Sequence, residues 1–135
     1  MAEDDCIFCK IAAREAPAFV VDEDERTVAF MDINPATRGH LLVIPRAHSR
    51  DIHEVDPDDL AACAATAGRM ATRVRDRLDA DGVNVLNAAG SAAWQTVFHF
   101  HLHVIPRYED DPLKLPWVPG PGDMDQIEAT AGELR

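Results

Sequence analysis

The chain has 135 residues, of which 47 % are hydrophobic, enough for one real core in a single domain over 1–135 and too apolar for a disordered chain. Its formal net charge of −11 argues against non-specific nucleic-acid binding, whose footprint is basic surface. An anionic substrate would therefore need a local exception, for which Arg38, Arg46, Arg50 and Arg107 are the candidates. The chain has no apolar run of about 18 residues, and its start, Met-Ala-Glu-Asp-Asp, is acidic; the expectation is a cytoplasmic protein with no membrane partner. Three cysteines, two of them as Cys6-Ile-Phe-Cys9, do not make a secreted disulfide framework.

Asp5 can cap a short helix through about Arg14, with Ile7, Phe8 and Ile11 on one apolar face and Pro17 ending it. The two-residue gap of Cys6 and Cys9 is that of a zinc half-site, and simple burial in the helix explains the pair as well. Ala18–Val21 and Arg26–Asp32 read as strands joined at the acidic turn from Asp22 to Glu25. Asp32, before Asn34-Pro35, reads as a turn residue. His40–Ile44 is the next strand, closed by Pro45.

Asp56-Pro57-Asp58-Asp59 is a strong helix start, with a capping aspartate, proline at the first position and acids at the positive dipole end. Leu60, Cys63, Ala67, Met70, Val74 and Leu78 recur at helical spacing, and Gly82 is the expected stop. Cys63 is a small buried residue on the core face. Val83–Asn87 is a strand, and Ala88–Trp94 is a small-residue loop able to approach a ligand closely. After Pro106 the chain is rich in proline and glycine, with Trp117 as its expected anchor, and Met124–Leu134 is a short terminal helix or a frayed tail. This order predicts an α+β fold: a mostly antiparallel sheet, a long central helix and a short N-terminal helix.

Residues 95 to 108 are the most informative stretch. They carry three of the six histidines, His99, His101 and His103, separated by Phe100 and Leu102. Alternation over Val97–Val104 predicts a half-buried strand, and a rise of about 3.3 Å per residue would set the imidazoles on one face roughly 6.6 Å apart. Phe98, Phe100, Leu102 and Val104 would face the core. Such a row of imidazoles is a solvated polar face, a zinc site or a nucleophile with flanking groups. Evenly spaced rings on a straight strand do not converge easily on one ion. A phosphorus centre, however, can be approached by the middle ring and flanked by the other two.

The run His-Phe-His-Leu-His-Val-Ile, preceded by Gln95-Thr96-Val97, resembles the signature of the histidine-triad family of nucleotide hydrolases and transferases, and the likeness extends over most of residues 6 to 107. The resemblance implies that His101 attacks the α-phosphate of a purine nucleotide conjugate, a phosphoramidate or a dinucleoside polyphosphate, and forms a nucleotidyl-imidazole that water releases. It implies that His103 holds the phosphate oxygens, that the backbone carbonyl of His99 orients His101, and that His40 is a fourth active-site histidine. Ile7, Phe8, Ile11, Phe30 and Ile33 would sandwich the base, Asp32 would take the ribose hydroxyls, Asn87 would lie near the phosphate or leaving group, and Gln95 would also bind substrate. Thr96 stands where one branch of the family uses serine to assist the leaving group, and Trp94 where a glycine is usual. The resemblance further implies a structural zinc held by Cys6, Cys9, His48 and His99, no organic cofactor, and a homodimer. The rival functions are a nucleotide-binding regulatory protein with weak turnover and a three-histidine metalloenzyme.

Overall fold

A computed structural model describes residues 3–135. The elements in chain order are α1 (Ile7–Ala12), β1 (Val20–Glu23), β2 (Thr27–Met31), β3 (Leu41–Pro45), α2 (Pro57–Leu78), β4 (Gly82–Leu86), β5 (Leu102–Arg107) and α3 (Met124–Leu134). The five strands form one sheet in the order β1-β2-β3-β5-β4, and every neighbouring pair is antiparallel. The α+β architecture is as the sequence indicates. No helix among the described residues is long and apolar enough to cross a membrane.

Both faces of the central strands are covered, which is why β2 and β3 read as nearly continuous apolar runs. On one face, Cys63, Ala67, Met70 and Val74 of α2 pack against Ala29, Val43, Phe100, Leu102 and Val104. On the other, Phe8 and Ile11 of α1 pack against Val28, Phe30, Leu42 and Ile44. The strand alternation therefore sorts side chains between two helices, and the larger apolar cleft lies on the α1 side.

Several boundaries differ from the sequence reading. The cap of α1 is Cys6, whose Sγ accepts the Cys9 amide at 3.3 Å, and not Asp5. The helix stops at Ala12, well before Pro17, because Arg14 turns left-handed at φ 62. Asp22 and Glu23 belong to β1; the turn is made by Asp24, whose Oδ1 accepts the amides of Arg26 and Thr27 at 2.9 and 2.8 Å. Asp56 caps α2 as expected, accepting the Asp58 amide at 2.8 Å. Asp79 ends that helix in the left-handed region, so Gly82 opens β4 instead of closing α2.

The histidine stretch shows the largest difference. It joins the ladder only from Leu102, and the backbone bends at 97 to 99. The Phe100 amide donates to the Ser49 carbonyl at 2.7 Å, and the Gln95 Nε2 donates to the carbonyls of Arg50 and Val97 at 2.8 and 3.2 Å. These bonds tie the segment to the loop after β3, in place of a neighbouring strand. In the tail, α3 forms with Asp123 as its cap, but Trp117 is 63 % exposed and anchors nothing.

Candidate active site and metal centre

In this bent segment His99 is separated from the other two imidazoles. His101 and His103 line a cavity of about 470 Å³, with ring centroids 5.0 Å apart. The ring of His99 is buried on the far side, against Cys6 and Cys9. The cavity walls come from α1 (Ile7, Phe8, Ile11), from the end of β2 and its loop (Phe30, Asp32, Ile33), and from Thr96. Phe8 stands edge-on to Phe30 at 5.3 Å, while Ile33 remains 78 % exposed, an apolar surface that a planar ligand would cover.

Hydrogen bonds assign a tautomer to each ring. The Ala36 amide donates to Nδ1 of His40 at 2.9 Å, so the proton of His40 is on Nε2. That Nε2 lies 3.0 Å from Nδ1 of His103 and donates to it, which puts the His103 proton on its own Nε2. Nδ1 of His101 donates to the His99 carbonyl at 2.7 Å, leaving Nε2 of His101 a free lone pair. Nε2 of His99 donates to the Pro45 carbonyl at 2.8 Å, leaving its Nδ1 free toward the sulfurs. Burial keeps these rings neutral: it pushes His99 and His103 down to about 4 and lowers His40 and His101 as well. One ring thus offers a lone pair and its neighbour offers an N–H.

Asp32 keeps the turn role read from the sequence, accepting the Asn34 amide at 2.7 Å on Oδ1. Its other oxygen lies 3.5 Å from Nε2 of His40, and the residue lines the cavity. Asp32, His40 and His103 are close enough to hold a metal ion. Yet His40 could present a lone pair at Nε2 only by placing an Nδ1–H against the Ala36 N–H. His40 and His103 are therefore a hydrogen-bonded pair with the Asp32 carboxylate beside them.

Two of the expected substrate contacts make hydrogen bonds within the protein. Asn87, just after β4, donates from Nδ2 to the His101 carbonyl at 2.9 Å and so holds the backbone of that residue. Gln95 is buried; besides its two donated bonds, its Oε1 accepts the Gly90 amide at 2.7 Å, and it lies outside the cavity wall. Thr96 does line the cavity. Trp94 has φ 74 and is 72 % exposed; the left-handed backbone accounts for the glycine usual there. Arg46 is held by Glu23 and Arg107 by Asp111, while the Arg50 guanidinium lies over the Phe98 ring at 4.3 Å. No lysine or arginine among the described residues lines the cavity. Sequence reasoning missed the Pro45 carbonyl and the Ala36 amide, which are backbone groups that no side-chain pattern announces.

On the other side of His99, the donor atoms of Cys6, Cys9, His48 and His99 all lie within 4.8 Å of one another. The sulfur–nitrogen separations are 3.3 Å for Cys6–His99, 3.4 Å for Cys9–His48 and 3.5 Å for Cys9–His99. Zinc bonds of about 2.3 Å to sulfur and about 2.0–2.1 Å to nitrogen give a tetrahedral edge of about 3.5 Å. The residues therefore fit a zinc ion. Nε2 of His48 faces Glu3 at 3.5 Å, as that of His99 faces Pro45, so both rings turn Nδ1 inward. Four protein donors leave no open position, the mark of a structural site.

The site is thus a neutral, oriented imidazole beside an N–H donor, facing an apolar cleft on an antiparallel sheet. The HIT domain model matches residues 13–110, and the chain belongs to that family, whose members bind nucleotides and are generally hydrolases or transferases. The protein Hit of Bacillus subtilis is 42 % identical over 105 residues, which cover 78 % of this chain and 72 % of that one. The crystal structure of SMU.412c from Streptococcus mutans superposes with a TM-score of 0.93 at 37 % identity, covering 98 % of this chain and 85 % of that one. A zinc-bound histidine triad family protein from Mycobacterium smegmatis gives a TM-score of 0.79 at 41 % identity, covering 96 % and 95 %.

Proposed function

We propose that this single HIT domain cleaves nucleotide conjugates at the α-phosphate through a covalent intermediate on His101. The observation that carries the reading is the His101 ring, with Nδ1–H on the His99 carbonyl at 2.7 Å and Nε2 bare. That lone pair attacks phosphorus as the bond to the leaving group breaks. The Nε2–H of His103 meets the negative oxygens, and the Thr96 hydroxyl stands beside the departing group. Water then attacks the nucleotidyl-imidazole, and the bond to His101 is broken. Ile7, Phe8, Ile11, Phe30 and Ile33 enclose the base, and Asp32 takes the ribose hydroxyls. A binding protein without turnover would need no such oriented nucleophile.

The uncharged cavity wall bears on the leaving group. With a net charge of −11 and no cationic side chain in the wall, a polyphosphate tail would lack counter-charge, whereas an amine leaving group brings none of that repulsion. Phosphoramidates are therefore the preferred class over dinucleoside polyphosphates. The test is one panel: kcat/KM for adenosine 5′-phosphoramidates, their 2′,3′-dideoxy analogues and diadenosine polyphosphates, on wild type and Asp32→Ala. Wild type should prefer the phosphoramidate, and Asp32→Ala should lose at least about tenfold on the ribose substrates only, the scale of a charged hydrogen bond of ~1.4 kcal/mol or more. A preference for polyphosphates, or unchanged discrimination in the variant, would contradict these assignments.

Cys6, Cys9, His48 and His99 are assigned to one structural zinc ion per chain, a reading supported by the donor geometry and by the zinc-bound relative. A homodimer is also proposed. Strand β4 is a sheet edge along which Val83, Val85 and Leu86 are exposed, and the neighbouring face of α2 exposes Ala61, Ala64 and Gly68.

A further inference from the structure

We propose that Cys6 and Cys9 are a peroxide-sensitive pair whose closure into a disulfide releases the metal ion and unpins His99. The metal half of this rests on the zinc assignment above. The two sulfurs sit on the first turn of α1, where Cys6 Sγ accepts the Cys9 amide at 3.3 Å. They lie within 4.8 Å of each other, and side-chain rotation within one turn brings them to bonding distance. Cys6 is partly exposed and Cys9 is buried, so an oxidant meets Cys6 first and Cys9 stands behind it as the resolving sulfur. Cys63 is an internal control: it is sealed in the core under α2, and burial pushes its thiol up to about 12.

As zinc ligands, both sulfurs are thiolates. The reaction consumes a hydroperoxide. The Cys6 thiolate attacks one peroxide oxygen, the O–O bond breaks, and a proton from solvent completes the departing alcohol or water. The Cys9 thiolate then attacks the sulfenic sulfur of Cys6, the S–O bond breaks, and water leaves with a second proton. The two sulfurs give up two electrons and the peroxide takes them. The ion keeps only His48 and His99.

The pair is wired to the active site. The ring of His99 faces both sulfurs, while its carbonyl holds Nδ1–H of His101 at 2.7 Å. Phe8, the neighbour of Cys9, stands edge-on to both rings, at 5.9 Å from His99 and 5.2 Å from His101. Closing the disulfide should weaken nucleoside monophosphate binding on the order of tenfold, the low end for loosening groups that orient a site.

The experiment titrates the zinc-loaded full chain with hydrogen peroxide while a chelating dye reports free zinc. The expected result is one ion released per chain as two of the three thiols disappear. The mass should fall by two hydrogen atoms, a Cys6–Cys9 link should appear in the peptide map, and dithiol plus zinc should reverse the change. Cys63→Ala should respond as wild type does. Zinc that stays bound while Cys63 oxidises, or Cys6 that runs on to sulfinic acid without bonding Cys9, would overturn the proposal and leave the metal assignment standing. A chain that never holds zinc, yet closes the pair with peroxide, would retire the metal assignment and support the disulfide.

Discussion

Burial sets the protonation state of the active-site histidines. His103 is pushed down to about 4, and His101 and His40 are lowered from an ordinary value of 6.5, chiefly because their rings have left water. In the unfolded chain the same rings take up protons near pH 6.5. Neutral burial therefore costs no proton-linked stability above that value, and stability falls as pH drops from 6.5 toward 4. Turnover should fall in the same direction, because a protonated His101 has no lone pair. Urea midpoints and kcat/KM measured from about pH 7 to 4 check both trends; His103→Asn should flatten part of the stability slope, and a midpoint that rises on acidification would contradict the assignment. At this scale the sequence is informative where chemistry needs an unusual side-chain pattern, as with the triad and His40. It is silent where the partner is backbone. Asn87 and Gln95 look like ligand contacts in a motif, and only the path of the chain shows that they hold the His101 carbonyl and the Gly90 loop.

Among the elements, α2 was the most legible, since its aspartate cap, first-turn proline and spaced apolar residues agree with one another. The histidine strand was the least. Its alternation is real but serves a bend, since Phe100 enters the α2 core while His99 meets the cysteine sulfurs and His101 lines the cavity. Alternation cannot distinguish a ladder from an extended segment held by side chains and a loop. The turn ahead of His40 shows how tightly the elements meet. Gly39 has φ +90, and a Cβ there would lie 2.5 Å from Leu78 Cδ1 at the end of α2 and 3.1 Å from Pro106 Cγ in β5. Gly39→Ala should destabilise by about 1–3 kcal/mol, the usual range for a side chain forced into that backbone region. Thermal unfolding of the variant would show it, and an unchanged midpoint would mean that the turn relaxes freely.

For the whole molecule, the sheet leaves the outer edge of β4 unpaired and apolar, and a second copy would cover it. Val85 is 48 % exposed on that edge. The wild-type chain should sediment as a dimer, and Val85→Lys should shift it toward monomer while the sheet stays intact by circular dichroism; a monomeric wild type would retire the dimer. The tail is the part of the molecule that the sequence described least well. Trp117 is exposed and belongs to neither of the two cores packed by α1 and α2.

The central claim is that one nitrogen of His101 becomes bonded to phosphorus. Mixing enzyme with a labelled adenosine 5′-phosphoramidate and quenching in the steady state should leave one nucleoside monophosphate per labelled chain, mapped to the peptide carrying His101. His101→Ala should carry no label and lose about four orders of magnitude in kcat, the scale for removing a nucleophile, while still binding the nucleotide. Label on another residue, or full turnover in His101→Ala, would contradict the account.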